Sequence, residues 1–141
     1  MRVPFALPGI FLISSLVCQA QTFVPAGGNA WISGGADRID REAGITLTAP
    51  QSVATLYVRL VPGVLDVTLA LRSHARSRIG VTVEDIKKEV SIDPARQSFP
   101  VGTWTIAKEG YCKVTIQGIE KSGESFGTLD GITISGSAVT P

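Results

Sequence analysis

Runs of residues that alternate between apolar and polar side chains, broken by glycine and proline, extend from residue 22 to residue 141. The clearest run, residues 64–72, places four aliphatic side chains at every second position: Leu65, Val67, Leu69 and Leu71. A period of two over that length is typical of a β-strand with one buried face. Because no segment after residue 22 keeps a helical period over three turns, the pattern predicts an all-β fold.

Similar runs predict further strands at residues 29–33, 54–60, 99–106, 111–119 and 132–136, and a β-hairpin at residues 78–93. Pro100 and Gly102 interrupt one of these runs, which predicts an edge strand or a β-bulge at that place. About eight short strands with regularly spaced turns predict an antiparallel β-sandwich or jelly roll.

The first 20 residues have the order of a secretory signal peptide. Arg2 is their one charge, an apolar run follows, and Cys18-Gln19-Ala20 provides small residues before a cleavage site. The apolar run is shorter than the roughly 20 residues that a membrane span needs, so no span is predicted. We therefore expect cleavage after Ala20 and a single domain over residues 21–141 that is secreted or periplasmic. A lipid anchor on Cys18 is the less favoured alternative, because the preceding residues do not fit the motif of bacterial lipoproteins.

The charge balance gives this chain no broad electrostatic field. It has 13 Lys+Arg against 12 Asp+Glu, and loss of Arg2 with the signal peptide leaves 12 against 12. A near-neutral domain lacks the basic surface typical of nucleic-acid binding, so no nucleic-acid partner is predicted. Arg72, Arg76 and Arg78 form a short basic cluster, but no aromatic residue alternates with them, so we interpret the cluster as a solvated turn.

No residue pattern in the chain indicates an enzyme. His74 is the one histidine and is interpreted as a turn residue, so a histidine-based metal site would have one imidazole at most. Glycoside hydrolysis usually needs two carboxyl groups that flank the bond, and none of the 12 carboxylates lies in a recognisable motif. We predict a protein without catalytic activity, with a small hydrolase as an open alternative. Cys112 alternates with Val114 and Ile116, which predicts a small buried apolar group.

Five segments, taken in order, carry a family resemblance: Gly27-Gly28-Asn29-Ala30-Trp31, residues 52–59, Val101-Gly102-Thr103-Trp104, residues 110–123 and Ile132-Thr133-Ile134-Ser135-Gly136. Together they resemble the domain of unknown function family 5077, which is found in secreted bacterial proteins. The resemblance implies a β-sandwich similar to carbohydrate-binding modules of the galactose-binding-like type. One departure is Leu47, in the early loop 44–47, where family members often carry an aromatic residue that would suit a sugar-stacking platform.

Aromatic residues provide the first candidates for ligand binding. Tyr57 and Arg59 alternate with a fully apolar face, which predicts that they point outward, although Tyr57 in a second buried layer is the alternative. Trp31 lies in a strand of ambiguous phase, and an exposed tryptophan offers a flat amphipathic surface for a sugar ring. Trp104 shares a strand face with Ile106 and is predicted to belong to the core.

The charged stretch 37–42 provides the other candidates, Asp37, Arg38 and Asp40, because carboxylate and guanidinium groups hydrogen-bond sugar hydroxyls. Its three carboxylates also allow a Ca²⁺ ion. Two arginines neutralise the stretch, so a solvated loop is the favoured interpretation and no cofactor is predicted outright.

Two functions are consistent with these observations. The first is a secreted, non-catalytic binding module that recognises a polysaccharide or another glycan. The alternative is a structural or assembly protein of the bacterial cell envelope that binds another protein through an edge strand.

Overall fold

The computed structural model describes residues 20–34, 39–40 and 44–140, and of residues 39–40 the backbone only. Within these ranges the chain forms eleven β-strands: β1 (Gln21–Pro25), β2 (Ala30–Ser33), β3 (Ile39–Asp40), β4 (Gly44–Leu47), β5 (Val53–Leu60), β6 (Gly63–Arg72), β7 (Ser77–Val83), β8 (Ile86–Ile92), β9 (Ser98–Ile106), β10 (Gly110–Lys121) and β11 (Gly127–Ser135). A four-residue helix, α1 (Ala26–Asn29), connects β1 to β2. Among the residues that the structure describes, no helix is both long enough and apolar enough to cross a membrane.

The strands form two antiparallel sheets. The first sheet has the order β3-β4-β11-β6-β9, and β1 pairs with β11 beyond the end of β4. The second sheet has the order β2-β5-β10-β7-β8. The two sheets pack face to face, which confirms the predicted β-sandwich.

The core lies between the two sheets and follows the predicted alternation. The aliphatic residues of 64–72 are buried in β6, and those of β5 are buried opposite them: Ala54, Leu56, Val58 and Leu60. Trp104 is buried as expected, and its indole Nε1 donates a hydrogen bond to the carbonyl oxygen of Ile86 at 2.9 Å. Gly118 is required by close packing, because a Cβ there would lie 2.4 Å from the ring of Phe126.

Both predictions for the interrupted strand are confirmed. β9 is the last strand of the first sheet, so it forms an edge. Val67 faces Gly102 and Thr68 faces Pro100, which leaves Val101 as the extra residue of a bulge. The proline therefore lies in an edge strand, where a missing backbone donor is tolerated.

Two details differ from the sequence-based expectations. Leu47 lies in strand β4 rather than in a loop and is fully buried. An aromatic residue at that position would join the core, because β4 directs it inward, and it would not form a sugar-stacking platform. Arg72 and Arg78 lie at strand ends in different sheets rather than in one solvated turn. The signal-peptide prediction concerns residues 1–20, of which only Ala20 is described.

Candidate functional site

The outer face of the second sheet carries a row of exposed aromatic side chains. Trp31 on β2 faces Thr55 on β5, and two residues further along β5 Tyr57 faces Lys113 on β10. The next outward position of β5 is Arg59, which faces Tyr111. Trp31, Tyr57 and Tyr111 are 50%, 45% and 73% exposed. We call Trp31, Tyr57, Arg59 and Tyr111 the aromatic strip.

The strip forms because β5 buries one face only. Its even-numbered residues from Ala54 to Leu60 enter the core, so Tyr57 and Arg59 must point to solvent. Four residues of β5 separate the row of Trp31 from the row of Tyr111, which corresponds to roughly 14 Å along the strand. The strip is therefore an elongated surface that runs along β5.

Contacts within the strip fix its shape. The ring centroids of Trp31 and Tyr57 lie 5.2 Å apart, with the ring planes tilted by 39°. The guanidinium carbon of Arg59 lies 5.9 Å from the centroid of the Tyr111 ring. Arg59 also forms an ion pair with Glu109, with 3.2 Å between Nη2 and Oε1. The aromatic rings thus have defined neighbours although each residue remains largely exposed to solvent.

A cavity of about 230 Å³ lies beside the strip, on the far side of β10. Seven residues line this side cavity: Thr82, Glu84, Asp85, Tyr111, Cys112, Lys113 and Thr115. Tyr111 belongs to both the strip and the cavity. The side cavity therefore continues the same surface.

The wall of the side cavity is the two-residue turn between β7 and β8. Val83 pairs with Ile86, and the turn residues Glu84 and Asp85 have φ angles of 53° and 62°. Positive φ at both central residues is the signature of a type I′ turn, for which Asn-Gly is the favoured sequence. This chain has two acidic residues there instead, so the backbone carries a conformational cost.

Cys112 lines the side cavity and is buried as predicted, but it is not a purely apolar group. Its thiol donates a hydrogen bond to Glu84 Oε1 over 3.3 Å. Burial first, and the adjacent Glu84 carboxylate second, raise the pKa of the Cys112 thiol to about 11. Cys112 is therefore a neutral thiol at physiological pH rather than a nucleophile.

Three of the six predicted ligand-binding residues come together in the structure: Trp31, Tyr57 and Arg59. Asp37 and Arg38 lie outside the described residues. The backbone of Asp40 pairs with Gly44 in the first sheet, which is not the sheet that carries the strip. Tyr111 was not among the predicted residues, although the inward phase of Cys112 already implied that its neighbour points outward.

Two further cavities, lined by described residues, lie at the opposite end of the sandwich. One, of about 410 Å³, includes His74, which lies exposed in a bend as predicted. The other, of about 320 Å³, includes Arg78, whose charge is neutralised by Glu89 and Glu120. In the described part of the chain, no group of three or more His, Cys, Asp or Glu residues has an arrangement suited to a metal ion.

By its fold and surface, this protein is an all-β sandwich with an exposed aromatic strip on one face. The family model described as "Domain of unknown function (DUF5077)" matches residues 24–139, so the chain belongs to that family. No curated protein matches the chain.

Several solved structures share the fold at low sequence identity. The CBM36-1 domain of a multidomain xylanase from the hindgut metagenome of Trinervitermes trinervoides has a TM-score of 0.63 and 16% identity, with 85% of this chain and 100% of that domain covered. The CBM35 from Cellvibrio japonicus Abf62 has a TM-score of 0.56 and 8% identity, with 86% and 96% covered.

Larger proteins contain the same fold as a part. A family two carbohydrate esterase from Cellvibrio japonicus has a TM-score of 0.57 and 15% identity over 87% of this chain. The chain spans 36% of that esterase and 28% of the GH26-CBM35 β-(1,4)-mannanase from Podospora anserina. At these identities the likeness shows a common fold.

Proposed function

We propose that this protein is a non-catalytic carbohydrate-binding module whose binding surface is the aromatic strip. The observation that carries the proposal is the pair of Trp31 and Tyr57, both half-exposed, with ring centroids 5.2 Å apart on the outer face of a sheet. Sugar rings present apolar C–H faces, and exposed aromatic rings bind such faces while their polar groups remain hydrated.

Polar groups beside the rings support the same function. Arg59 is held next to Tyr111 by its ion pair with Glu109, and Lys113 stands beside Tyr57. Arginine and lysine donate hydrogen bonds to hydroxyl oxygens, so the rings of Tyr57 and Tyr111 each have a neighbouring donor for a stacked sugar. Tryptophan, tyrosine and arginine are also the residues that most often dominate binding energy at interfaces.

The carboxylates near the strip do not suggest hydrolysis. Glu109 is ion-paired with Arg59, and Glu84 and Asp85 are consecutive residues of one turn. Glycosidases place two carboxyl groups on opposite sides of the scissile bond, which two neighbouring residues on one cavity wall do not provide. Release of reducing sugar by the pure protein would contradict the non-catalytic function and revive the small-hydrolase alternative.

Affinity electrophoresis on a panel of soluble polysaccharides tests the proposal, with Trp31→Ala as the variant and Phe23→Ala as its matched control. Phe23 is also 50% exposed but lies on β1 of the first sheet. Removing one ring that covers a sugar face should cost about 1–2 kcal/mol, or roughly tenfold in affinity. We expect that loss for Trp31→Ala and unchanged retardation for Phe23→Ala. Equal loss in both variants, or no retardation of the wild-type protein on any polysaccharide, would contradict the proposal.

The remaining expectations from the sequence stay predictions. Running the same gels with CaCl₂ and with EDTA tests whether the stretch 37–42 recruits Ca²⁺. Capture of an envelope protein, together with no retardation on any polysaccharide, would favour the assembly alternative. N-terminal sequencing of the exported protein tests cleavage after Ala20 and a secreted or periplasmic location.

A further inference from the structure

The side cavity lies at a fixed lateral distance from the aromatic strip. Trp31 and Tyr57 belong to β2 and β5, β10 lies beside β5, and Thr82 on β7 lies beside Thr115 on β10. Neighbouring strands are about 4.8 Å apart, so the cavity is centred roughly 5–10 Å to one side of a chain stacked on the strip. That displacement is perpendicular to the long direction of the strip.

The size and polarity of the side cavity suit one hydroxyl-rich ring. Its volume of about 230 Å³ is below the roughly 300–1,000 Å³ typical of pockets for drug-sized ligands. The hydroxyls of Thr82, Thr115 and Tyr111 both donate and accept hydrogen bonds, the carboxylates of the turn accept them, and Lys113 donates them. Sugar hydroxyls need both kinds of partner.

We propose that the side cavity binds a single-sugar branch of a saccharide whose backbone stacks on the aromatic strip, so that the module prefers branched over linear polysaccharides. This inference rests on the proposed carbohydrate-binding function. Tyr111 joins the two places, because its ring belongs to the strip and also lines the cavity. The strained Glu84-Asp85 turn agrees with this role. The backbone conformation of the turn favours Asn-Gly, but the chain has two carboxylates there, which provide hydrogen-bond acceptors at the cavity wall.

Binding to matched pairs of polysaccharides tests the inference. Linear mannan oligosaccharides are compared with galactomannan fragments of the same backbone length, and linear xylan fragments with arabinoxylan fragments, by isothermal titration calorimetry. We expect the wild-type protein to bind the branched member of one pair at least tenfold more tightly than the linear member. Equal affinity for both members, or preference for the linear one, would overturn the inference and leave the proposed function intact. No binding to any member, by a protein that is retarded on other polysaccharides, would also overturn the inference, whereas no retardation on any polysaccharide would contradict the proposed function itself.

Two variants assign the preference to the cavity. Thr82→Val with Thr115→Val removes two hydroxyls with little change in shape, and both residues lie in strands, where valine is favoured. Asp85→Asn removes a charge at a position with positive φ, which asparagine tolerates. We expect this variant to fold, so it can serve as the test if the double threonine variant does not fold. We expect each variant to lower affinity for the branched ligand toward that of the linear one, and Thr133→Val on the first sheet to change neither. An equal loss of affinity for branched and linear ligands would show that the side cavity does not bind the branch, and would overturn the inference.

Discussion

The outer faces of the two sheets differ in how their side chains are used. On the first sheet, polar side chains pair with one another. Arg72 forms a bidentate ion pair with Asp130, with nitrogen–oxygen distances of 2.8–3.2 Å. The Thr103 hydroxyl donates a hydrogen bond to Asp66, and the hydroxyl oxygens of Thr46 and Thr128 lie 3.0 Å apart. Phe23 is the exposed aromatic residue among those described on this face, and its ring packs against Gly131. A Cβ atom at Gly131 would lie 2.7 Å from that ring, so the glycine leaves room for it.

The second sheet leaves its aromatic rings open to solvent. Trp31 and Tyr57 contact each other, yet each is about half-exposed. The alternation of β-strands determines which residues reach a surface, but it does not determine whether they satisfy one another there. The comparison teaches that the second sheet is distinguished by several exposed aromatic rings grouped on one surface, whereas the described residues of the first sheet expose one aromatic residue, Phe23, alone.

The largest expected effect comes from removing both rings of the strip. Trp31→Ala with Tyr57→Ala should lower affinity for a bound polysaccharide about 100-fold, from about 1–2 kcal/mol for each ring. Loss of the contact between the rings should cost stability only about 0.5–1.5 kcal/mol. Calorimetric titration and urea unfolding measure the two quantities separately. If the double variant folds and keeps its affinity for the polysaccharide, the aromatic strip does not make the second sheet the binding face.

Replacing the strained turn should separate binding from stability. Glu84→Asn with Asp85→Gly gives the sequence that a type I′ turn favours, so we expect a gain of about 1–2 kcal/mol in the free energy of unfolding. The same change should weaken binding of branched ligands. Urea unfolding that shows a destabilised double variant would contradict the strain ascribed to these two positive φ angles.

Alkaline pH should weaken the fold through Cys112, which lines the side cavity. Burial raises the pKa of its thiol from an ordinary 9.0 to about 11. The stabilisation from a neutral thiol is therefore complete below pH 9 and is lost as the pH rises toward 11. Urea unfolding at several pH values should show a steeper decline for the wild-type protein than for Cys112→Ala. Identical slopes in the two proteins would show that the thiol does not contribute.

The smallest effect is expected on the first sheet. Thr46→Val with Thr128→Val removes an exposed hydroxyl pair, so stability should change by less than about 1 kcal/mol. Polysaccharide binding should not change, because both residues lie on the sheet that lacks the strip. A loss of affinity in this variant would mean that the first sheet also contributes to ligand binding.

Most of the fold could be predicted because burial of one face fixes the phase of each long strand. Pro100 and Gly102 indicated the edge and the bulge for local chemical reasons. The short strands β1 and β4 were missed because pairing with β11, far away in the sequence, stabilises them rather than a pattern of their own. Leu47 was assigned to a loop for the same reason.

The site could be predicted only in part. The outward phase of Tyr57 and Arg59 follows from the apolar face of β5. Their proximity to Trp31 and Tyr111 depends on the register between β2, β5 and β10, which no local pattern contains. The side cavity also requires the β7–β8 turn to lie beside β10, so only the three-dimensional structure reveals it.

An NMR titration of the ¹⁵N-labelled domain with a polysaccharide fragment that retards it on gels locates the binding surface directly. We expect chemical-shift changes at the Trp31 indole and at the amides of Tyr57, Arg59 and Tyr111, with the signals of residues 73–76 and 122–126 at the opposite end unchanged. Shift changes confined to those distant loops or to the first sheet would show that the aromatic strip does not bind the sugar.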